Sequence, residues 1–255
     1  MGLATFIGGV HPYEGKELSM EHPITVLQPN GVEMVFPLSQ HIGAPAKPLV
    51  AVGDEVLVGQ IIAEAGGFIS ANVVSSVSGK VKKIEPRRVA NGSMVNSIII
   101  ENDKEYRAVE GFGEKRDYTK LSKDEIRKIV KDAGIVGLGG AAFPTHVKLS
   151  PKNENEIDYI IVNGAECEPY LTSDYRLMME EPEKLVEGLK IILRLFPNAK
   201  GIIGIENNKP EAIAKIKKLV QNESKIEVVE LYTKYPQGGE RSLIFACTGR
   251  KLNSS

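Results

Sequence analysis

The apolar positions of this 255-residue chain change their spacing near residue 121, and two kinds of architecture follow. Up to about residue 102 they come in short runs broken by glycine, as strands do. Ile24-Thr25-Val26-Leu27 and Glu33-Met34-Val35-Phe36 read as strands, and Pro29-Asn30-Gly31 between them predicts a hairpin. The rest of 1–36 is an irregular lead-in, turn-rich at Phe6-Ile7-Gly8-Gly9-Val10-His11-Pro12. Residues 37–102 predict a small all-β domain. Residues 103–120 are polar, carry Gly111 and Gly113, and read as a linker.

From 121 the period lengthens. Ser122-Lys123-Asp124-Glu125 is a capping box, and Ile126, Ile129, Val130 and Ala133 behind it form one helical face. A buried strand is expected over 157–163, a short helix over 174–179 and a longer helix over 182–196, with Pro182 suited to its first turn. A strand at 200–206, a helix at 210–221, a strand at 226–232 and a helix from about Gly239 complete the pattern. Strands alternating with helices predict an α/β domain over 121–255, with a parallel sheet covered on both faces. Ligands of such sheets sit beyond the C-terminal ends of the strands.

Composition removes several classes of function. Lys+Arg 32 against Asp+Glu 33 leaves a net charge of −1, and there is no tryptophan and no aromatic–basic interleaving, so nucleic acid is not an expected partner. No apolar run reaches the ~18 residues of a membrane span, and the N-terminus lacks the features of a secretory signal. Cys167 and Cys247 are far apart and outside any C-x-x-C, which favours reduced thiols; two cysteines cannot build a four-thiolate iron–sulfur site. His11, beside Gly-Gly and Pro, is a loop histidine or a lone ligand. Lys80, Lys82, Lys83, Arg87 and Arg88 form a solvated face or a docking surface for an acidic partner.

Three segments carry candidate chemistry. The first is Gly134-Ile135-Val136-Gly137-Leu138-Gly139-Gly140-Ala141-Ala142-Phe143-Pro144-Thr145-His146-Val147-Lys148. Gly134 reads as a helix C-cap, which leaves three glycines unexplained. Their N–H groups with Lys148 suit a phosphate; a packed turn is the plainer alternative. The pattern is neither a P-loop nor a strand-borne G-x-G-x-x-G. The others are Asn163-Gly164-Ala165-Glu166-Cys167-Glu168-Pro169 and Lys234-Tyr235-Pro236-Gln237-Gly238-Gly239-Glu240, each directly after an expected strand. Glutamates and an asparagine suit hydroxyls and ring N–H groups, so the inventory fits a nucleotide or flavin better than a metal, for which His146 alone is thin.

These three motifs together resemble the flavin-binding subunit of respiratory complex I. They are closer to the C subunit of the Rnf ion-translocating ferredoxin:NAD oxidoreductase, which also shares Thr5-Phe-Ile-Gly-Gly-Val-His-Pro12. Within 37–102, the stretches from Val50 to Ala63 and from Val77 to Ile84 resemble the halves of a lipoyl-like β-sandwich, or barrel-sandwich hybrid. In that family a hairpin lysine carries the prosthetic group; here Pro48 to Gly79 has no lysine, so the resemblance implies the fold and not the carrier function.

For 121–255 the resemblance implies a Rossmann-like parallel-sheet FMN/NADH-binding domain. It implies that Gly137, Gly139, Gly140 and Lys148 bind the phosphate and ribityl chain of FMN, and that Asn163 and Glu166 bind the flavin's polar groups. Glu168, Gly238, Gly239 and Glu240 would lie where NADH stacks. Ala165 and Gly239 stand where the complex I pattern has acidic residues. Hydride would pass from NADH to the flavin, which releases single electrons to iron–sulfur centres, and no side chain is expected to be catalytic or to bind metal. The cysteine motifs for two 4Fe-4S clusters lie beyond the flavin domain in this family, so the chain reads as an N-terminal fragment. Implied partners are the other Rnf subunits, NADH and, indirectly, ferredoxin, at the cytoplasmic face of the membrane. A flavin-dependent cobalamin reductase, or a docking subunit with a vestigial flavin site, shares the same motifs.

Overall fold

The computed structural model describes residues 3–252. The chain forms two compact units: residues 27–152, and residues 3–26 together with 153–252.

In the first unit seven strands are arranged as two antiparallel sheets: β1 (Glu33–Pro37), β2 (Lys47–Pro48), β3 (Glu55–Val56), β4 (Ile61–Glu64), β5 (Val73–Val74), β6 (Gly79–Arg88) and β7 (Met94–Asn102). Their orders are β1-β7-β6-β3 and β2-β4-β5. The core includes Phe36, Val56, Ile62, Val77, Val81, Ile98 and Ile100, all buried. Each such aliphatic or aromatic side chain contributes about 2 kcal/mol on leaving water. At Gly79 the backbones approach so closely that a Cβ would lie 2.0 Å from Glu101 O, so only glycine fits.

The expected hairpin over 24–36 does not form. Residues 24–27 form no strand, and β1 pairs with β7 instead. Val26 and Leu27 are 96% and 93% exposed, so no apolar face is covered by their pairing. The would-be turn is held otherwise: Asn102 Nδ2 donates to Pro29 O and Gly31 O, and Tyr106 Oη donates to Pro29 O. Long-range packing here overrides a local turn signal.

Three members of the basic cluster, Lys82, Lys83 and Arg87, form ion pairs with Glu33 of β1 or Glu85 of their own strand. Lys82 lies 2.8 Å from Glu33, and Arg87 lies 2.8 Å from Glu85. These pairs are exposed, so water screens them. The stretch after β7 returns to the sheets: Val58 N–H donates to Arg107 O and Val109 N–H to Val58 O. Helix α1 (Lys123–Asp132) follows with its capping box formed, Ser122 Oγ accepting from Glu125 N–H and the Glu125 carboxylate from Ser122 N–H. After the glycine-rich loop comes the single turn α2 (Thr145–Lys148).

The second unit contains β8 (Tyr159–Gly164), α3 (Ser173–Glu180), α4 (Pro182–Leu195), β9 (Lys200–Glu206), α5 (Pro210–Val220), β10 (Ile226–Leu231) and α6 (Glu240–Thr248). Its three strands are parallel, in the order β10-β9-β8. Side chains alternate across a strand, and the two faces have different cores. Ile160 and Val162 join Tyr175, Met178, Leu189, Ile213 and Ile216 of α3–α5. Ile161 and Val229 join Leu243 of α6 on the other face. The sheet is therefore covered on both faces, as the alternation predicts, although β8 is a half-buried edge rather than a buried strand. Ala4 extends the sheet past β10 by a parallel bridge to Leu231.

Candidate functional site

In the first unit the glycine-rich loop opens from a closed neck. Gly134 follows the C-cap Ala133 with φ +66°, and a Cβ there would lie 2.5 Å from Asn72 O. The fold itself requires this glycine. Gly137 N–H donates to Phe143 O (3.0 Å), and Thr145 N–H to Ile135 O (3.0 Å), which closes the neck. Beyond it the chain is open to solvent. Gly139 and Gly140 do not have positive φ, and no atom lies within 4 Å of where their Cβ atoms would be. Neither backbone conformation nor packing in this chain demands glycine there. Lys148 ends α2 and is exposed. Nearby, His146 Nδ1 is buried without a hydrogen-bond partner; burial, then Lys131, pushes its pKa below the usual imidazole range. Open backbone amides and an exposed ammonium are the donor set a phosphate needs.

In the second unit the two other motifs meet beyond the strand ends. Asn163 Nδ2 donates to Gly238 O (2.9 Å), and Gly238 N–H donates to Cys167 Sγ (3.2 Å). A Cβ on Gly238 would lie 3.3 Å from Cys167 Sγ and 3.4 Å from Ala165 Cβ and Asn163 Oδ1, so the two loops pack closely around this glycine. Gly239 is the N-cap of α6, and Glu240 is its first, exposed residue. Glu168 is also exposed. Glu166 is not: it is buried with φ +51°, and its carboxylate accepts from Asp174 N–H (2.6 Å) and Tyr175 N–H (3.4 Å). It caps the N-terminus of α3, where a negative charge is favoured. Burial pushes its pKa up, against the pull of the Asp174 amide and of Lys16.

Under these loops is a set of buried charges the sequence does not reveal. Lys209 Nζ donates to Ala165 O (2.7 Å) and Asn208 Oδ1 (2.8 Å) and lies 3.5 Å from Glu206 Oε2. Lys234 Nζ donates to Phe6 O (2.5 Å) and sits 4.2 Å over the Phe6 ring. Gln237 Oε1 accepts from Thr5 Oγ1. The one available signal is position: Glu206 ends a strand, and Lys209 precedes the proline that opens the next helix. Above them opens a small cleft of about 40 Å³, lined among others by His11, Glu14, Cys167, Glu168, Asn208 and Thr233. All three strand ends contribute to it, as open parallel sheets lead one to expect. The N-terminal segment contributes as much, and nothing in its sequence announces that role.

Among the described residues no group of three or more His, Cys, Asp or Glu could hold a metal ion, and no helix is long and apolar enough to cross a membrane.

The chain matches two family models, the RnfC barrel sandwich hybrid domain over residues 4–105 and the Nuo51 FMN-binding domain over residues 130–255. It is 46% identical over 252 residues to the C subunit of the proton-translocating ferredoxin:NAD(+) oxidoreductase complex of Clostridium ljungdahlii, covering 99% of this chain and 55% of that protein. It is 46% identical over 254 residues to the C subunit of the Na(+)-translocating ferredoxin:NAD(+) oxidoreductase complex of Acetobacterium woodii, covering 98% and 56%. Identity to the C subunit of the ion-translocating oxidoreductase complex of Haemophilus influenzae strain PittEE is 37% over 255 residues, covering 99% and 39%. The chain thus spans about half the length, or less, of these relatives. Nearly all of it is similar to part of the C subunit of ion-translocating ferredoxin:NAD(+) oxidoreductase complexes, its first part to the RnfC barrel sandwich hybrid domain and its last part to the FMN-binding domain of Nuo51.

Proposed function

We propose that this chain is the flavin- and NADH-binding portion of an Rnf-type ferredoxin:NAD oxidoreductase subunit, peripheral at the cytoplasmic face of the membrane and assembled with the other subunits of that complex. The observation that carries the reading is the pair Gly139 and Gly140, glycines that nothing in the chain requires. A side chain there would stand where a ligand approaches the backbone. Gly137, Gly139, Gly140 and Lys148 are assigned to the phosphate and ribityl chain of FMN. The second unit is assigned a Rossmann-like role: Glu168, Gly238, Gly239 and Glu240 receive the dinucleotide at the strand ends.

Asn163 and Glu166 support this arrangement from behind, since their polar atoms are engaged with Gly238, Ala165 and the start of α3. FMN, when bound, accepts hydride and passes electrons on singly. The chain's own part is to hold the ligands, orient them and exclude water. Iron–sulfur centres that take the electrons, and through them ferredoxin, belong to other parts of the assembly.

The test is a titration of the chain with FMN and with riboflavin, followed by visible absorbance and flavin fluorescence. FMN binds, and Lys148→Ala weakens FMN far more than riboflavin, because only FMN carries the phosphate. Failure to bind FMN overturns the function. Equal losses for both ligands overturn the phosphate assignment. NADH then bleaches the bound flavin, which a vestigial docking subunit would not allow.

A further inference from the structure

We infer that Lys16 is a positioning residue for the loop that carries Glu168; this rests on the function proposed above. Lys16 is 8% exposed, and its ammonium donates to backbone oxygens and stands 4.0 Å from Glu166 Oε2. Nζ donates to Glu166 O (2.8 Å), Glu168 O (3.1 Å) and Leu171 O (2.7 Å). A lysine ammonium has three protons to donate and no acceptor capacity, and here every proton has a carbonyl. Its three donors are thus engaged with this loop, although the side chain lines the cleft.

The loop needs such a holder. Residues 165–171 lie between β8 and α3 in neither helix nor strand, so their carbonyls have no ladder partner. Two of the residues, Glu166 (φ +51°) and Tyr170 (φ +67°), are in the left-handed region without being glycine. Such residues are strained and persist only where the surroundings over-determine them. The N-terminal segment supplies those surroundings.

Tyr170 N–H donates to Glu14 O (2.7 Å), and the Ser19 hydroxyl lies 2.8 Å from Thr172 Oγ1 and 3.3 Å from Tyr170 O. Gly15, at φ +60°, lets the Tyr170 ring come so near that a Cβ would lie 2.3 Å from it. With the carbonyls of 166, 168 and 171 turned inward to one ammonium, the exposed Glu168 side chain is presented at the cleft. Lysine reaches this place from a segment 150 residues upstream in sequence, so the contact also ties the N-terminal segment to the site.

The experiment uses the whole chain loaded with FMN, and reads cooperative melting, FMN affinity and NADH affinity separately. Lys16→Met should melt cooperatively, keep near-native FMN affinity and lose about tenfold or more in NADH affinity, the scale of a small misplacement. Lys16→Arg should restore much of that loss, because it keeps a multiple cationic donor. NADH affinity unchanged in Lys16→Met overturns the inference, and so does an equal loss of FMN and NADH, which marks a merely structural lysine.

Should Lys16→Met not fold, Ser19→Ala removes a part-exposed hydroxyl from the same junction. A selective loss of NADH affinity supports the inference and wild-type behaviour overturns it. If the native chain binds no NADH, the functional reading fails by itself. The holding role is then judged by deuterium uptake: faster exchange confined to residues 164–172 of Lys16→Met supports it, and unchanged exchange overturns it.

Discussion

Lys209 Nζ lies 3.5 Å from Glu206 Oε2, with both side chains sealed from solvent beneath the ends of the parallel strands. Burial pushes the Glu206 carboxyl up and the Lys209 ammonium down, and each offsets part of the other's shift. Lys209 also satisfies Ala165 O, the residue before Glu166. The pair therefore links the end of β9 to the loop after β8.

Removing one member should be worse than removing both. Lys209→Met leaves a buried carboxylate without its cation and Ala165 O without a donor, and should cost about 3–5 kcal/mol. Lys209→Met combined with Glu206→Gln should recover a substantial part, because no uncompensated charge remains. Denaturant midpoints of the two variants check this. A single variant as stable as the double one would show that the ion pair contributes nothing specific.

The open glycines make the opposite kind of prediction. Gly139→Ala and Gly140→Ala meet no atom within 4 Å and no positive φ. Stability should stay within about 0.5 kcal/mol of native, or rise slightly because alanine restricts the unfolded chain. FMN affinity should fall clearly in at least one of the two variants. Gly134→Ala is the control: positive φ and the close Asn72 carbonyl should make it destabilising. A melting temperature that drops as far in Gly140→Ala as in Gly134→Ala would contradict the assignment.

How much of this is legible in the sequence differs between the two units. In the second unit β9 appears at its expected bounds, and α4 and α5 each end one residue earlier than expected, because proline at the first turn and clean apolar faces are local signals. The hairpin expected over 24–36 fails because an Asn-Gly turn cannot know that β7 offers β1 a better partner. The candidate loops are visible through their glycines. Lys16, Glu206, Lys209 and Lys234 are not, since a charged residue looks the same in sequence whether it is solvated or buried; only tertiary contacts decide.

Acid should loosen the first unit through Asp103. The Arg107 guanidinium, then Ser78, holds its carboxyl down from the usual range to about 2. It accepts from Ser78 Oγ (2.6 Å) and Arg107 (2.9 Å), fixing the turn after β7. The folded chain gives up this proton more readily than the unfolded one. The stabilisation is thus fully present above the ordinary aspartate pKa of about 4 and drains away as pH falls through about 2. Asp103 and Arg107 are partly exposed, so the effect is modest. Asp103→Asn should flatten stability against pH in that window; an unchanged slope there would sink the idea.

The barrel sandwich hybrid unit should carry no prosthetic group. The loop between β4 and β5 presents Phe68, 80% exposed, and Pro48 to Gly79 has no lysine amine to acylate. Intact-mass measurement of the chain should give the unmodified mass. A lipoyl or biotinyl increment would refute this.

The last prediction concerns iron. A four-iron cluster needs four thiolates, and the chain holds two cysteines. Neither is suited to ligation. The Cys167 thiol is buried, its pKa is raised by burial, and its sulfur already accepts from Gly238 N–H. Burial pushes the Cys247 thiol, on α6, up to about 11. Metal ligation requires the thiolate, which both environments disfavour. Reconstituted with FMN, the chain should therefore hold no stoichiometric iron or acid-labile sulfide. On the function proposed above, electrons from NADH would reach the flavin and find no cluster within the chain to enter. Turnover should be limited to slow reduction of an artificial acceptor such as ferricyanide, and the isolated chain should show no ferredoxin-coupled turnover. Iron and sulfide analysis, run beside an NADH–ferredoxin assay on the isolated chain, decides the matter: stoichiometric iron, or coupled turnover by this chain alone, would place the start of the electron path inside these residues.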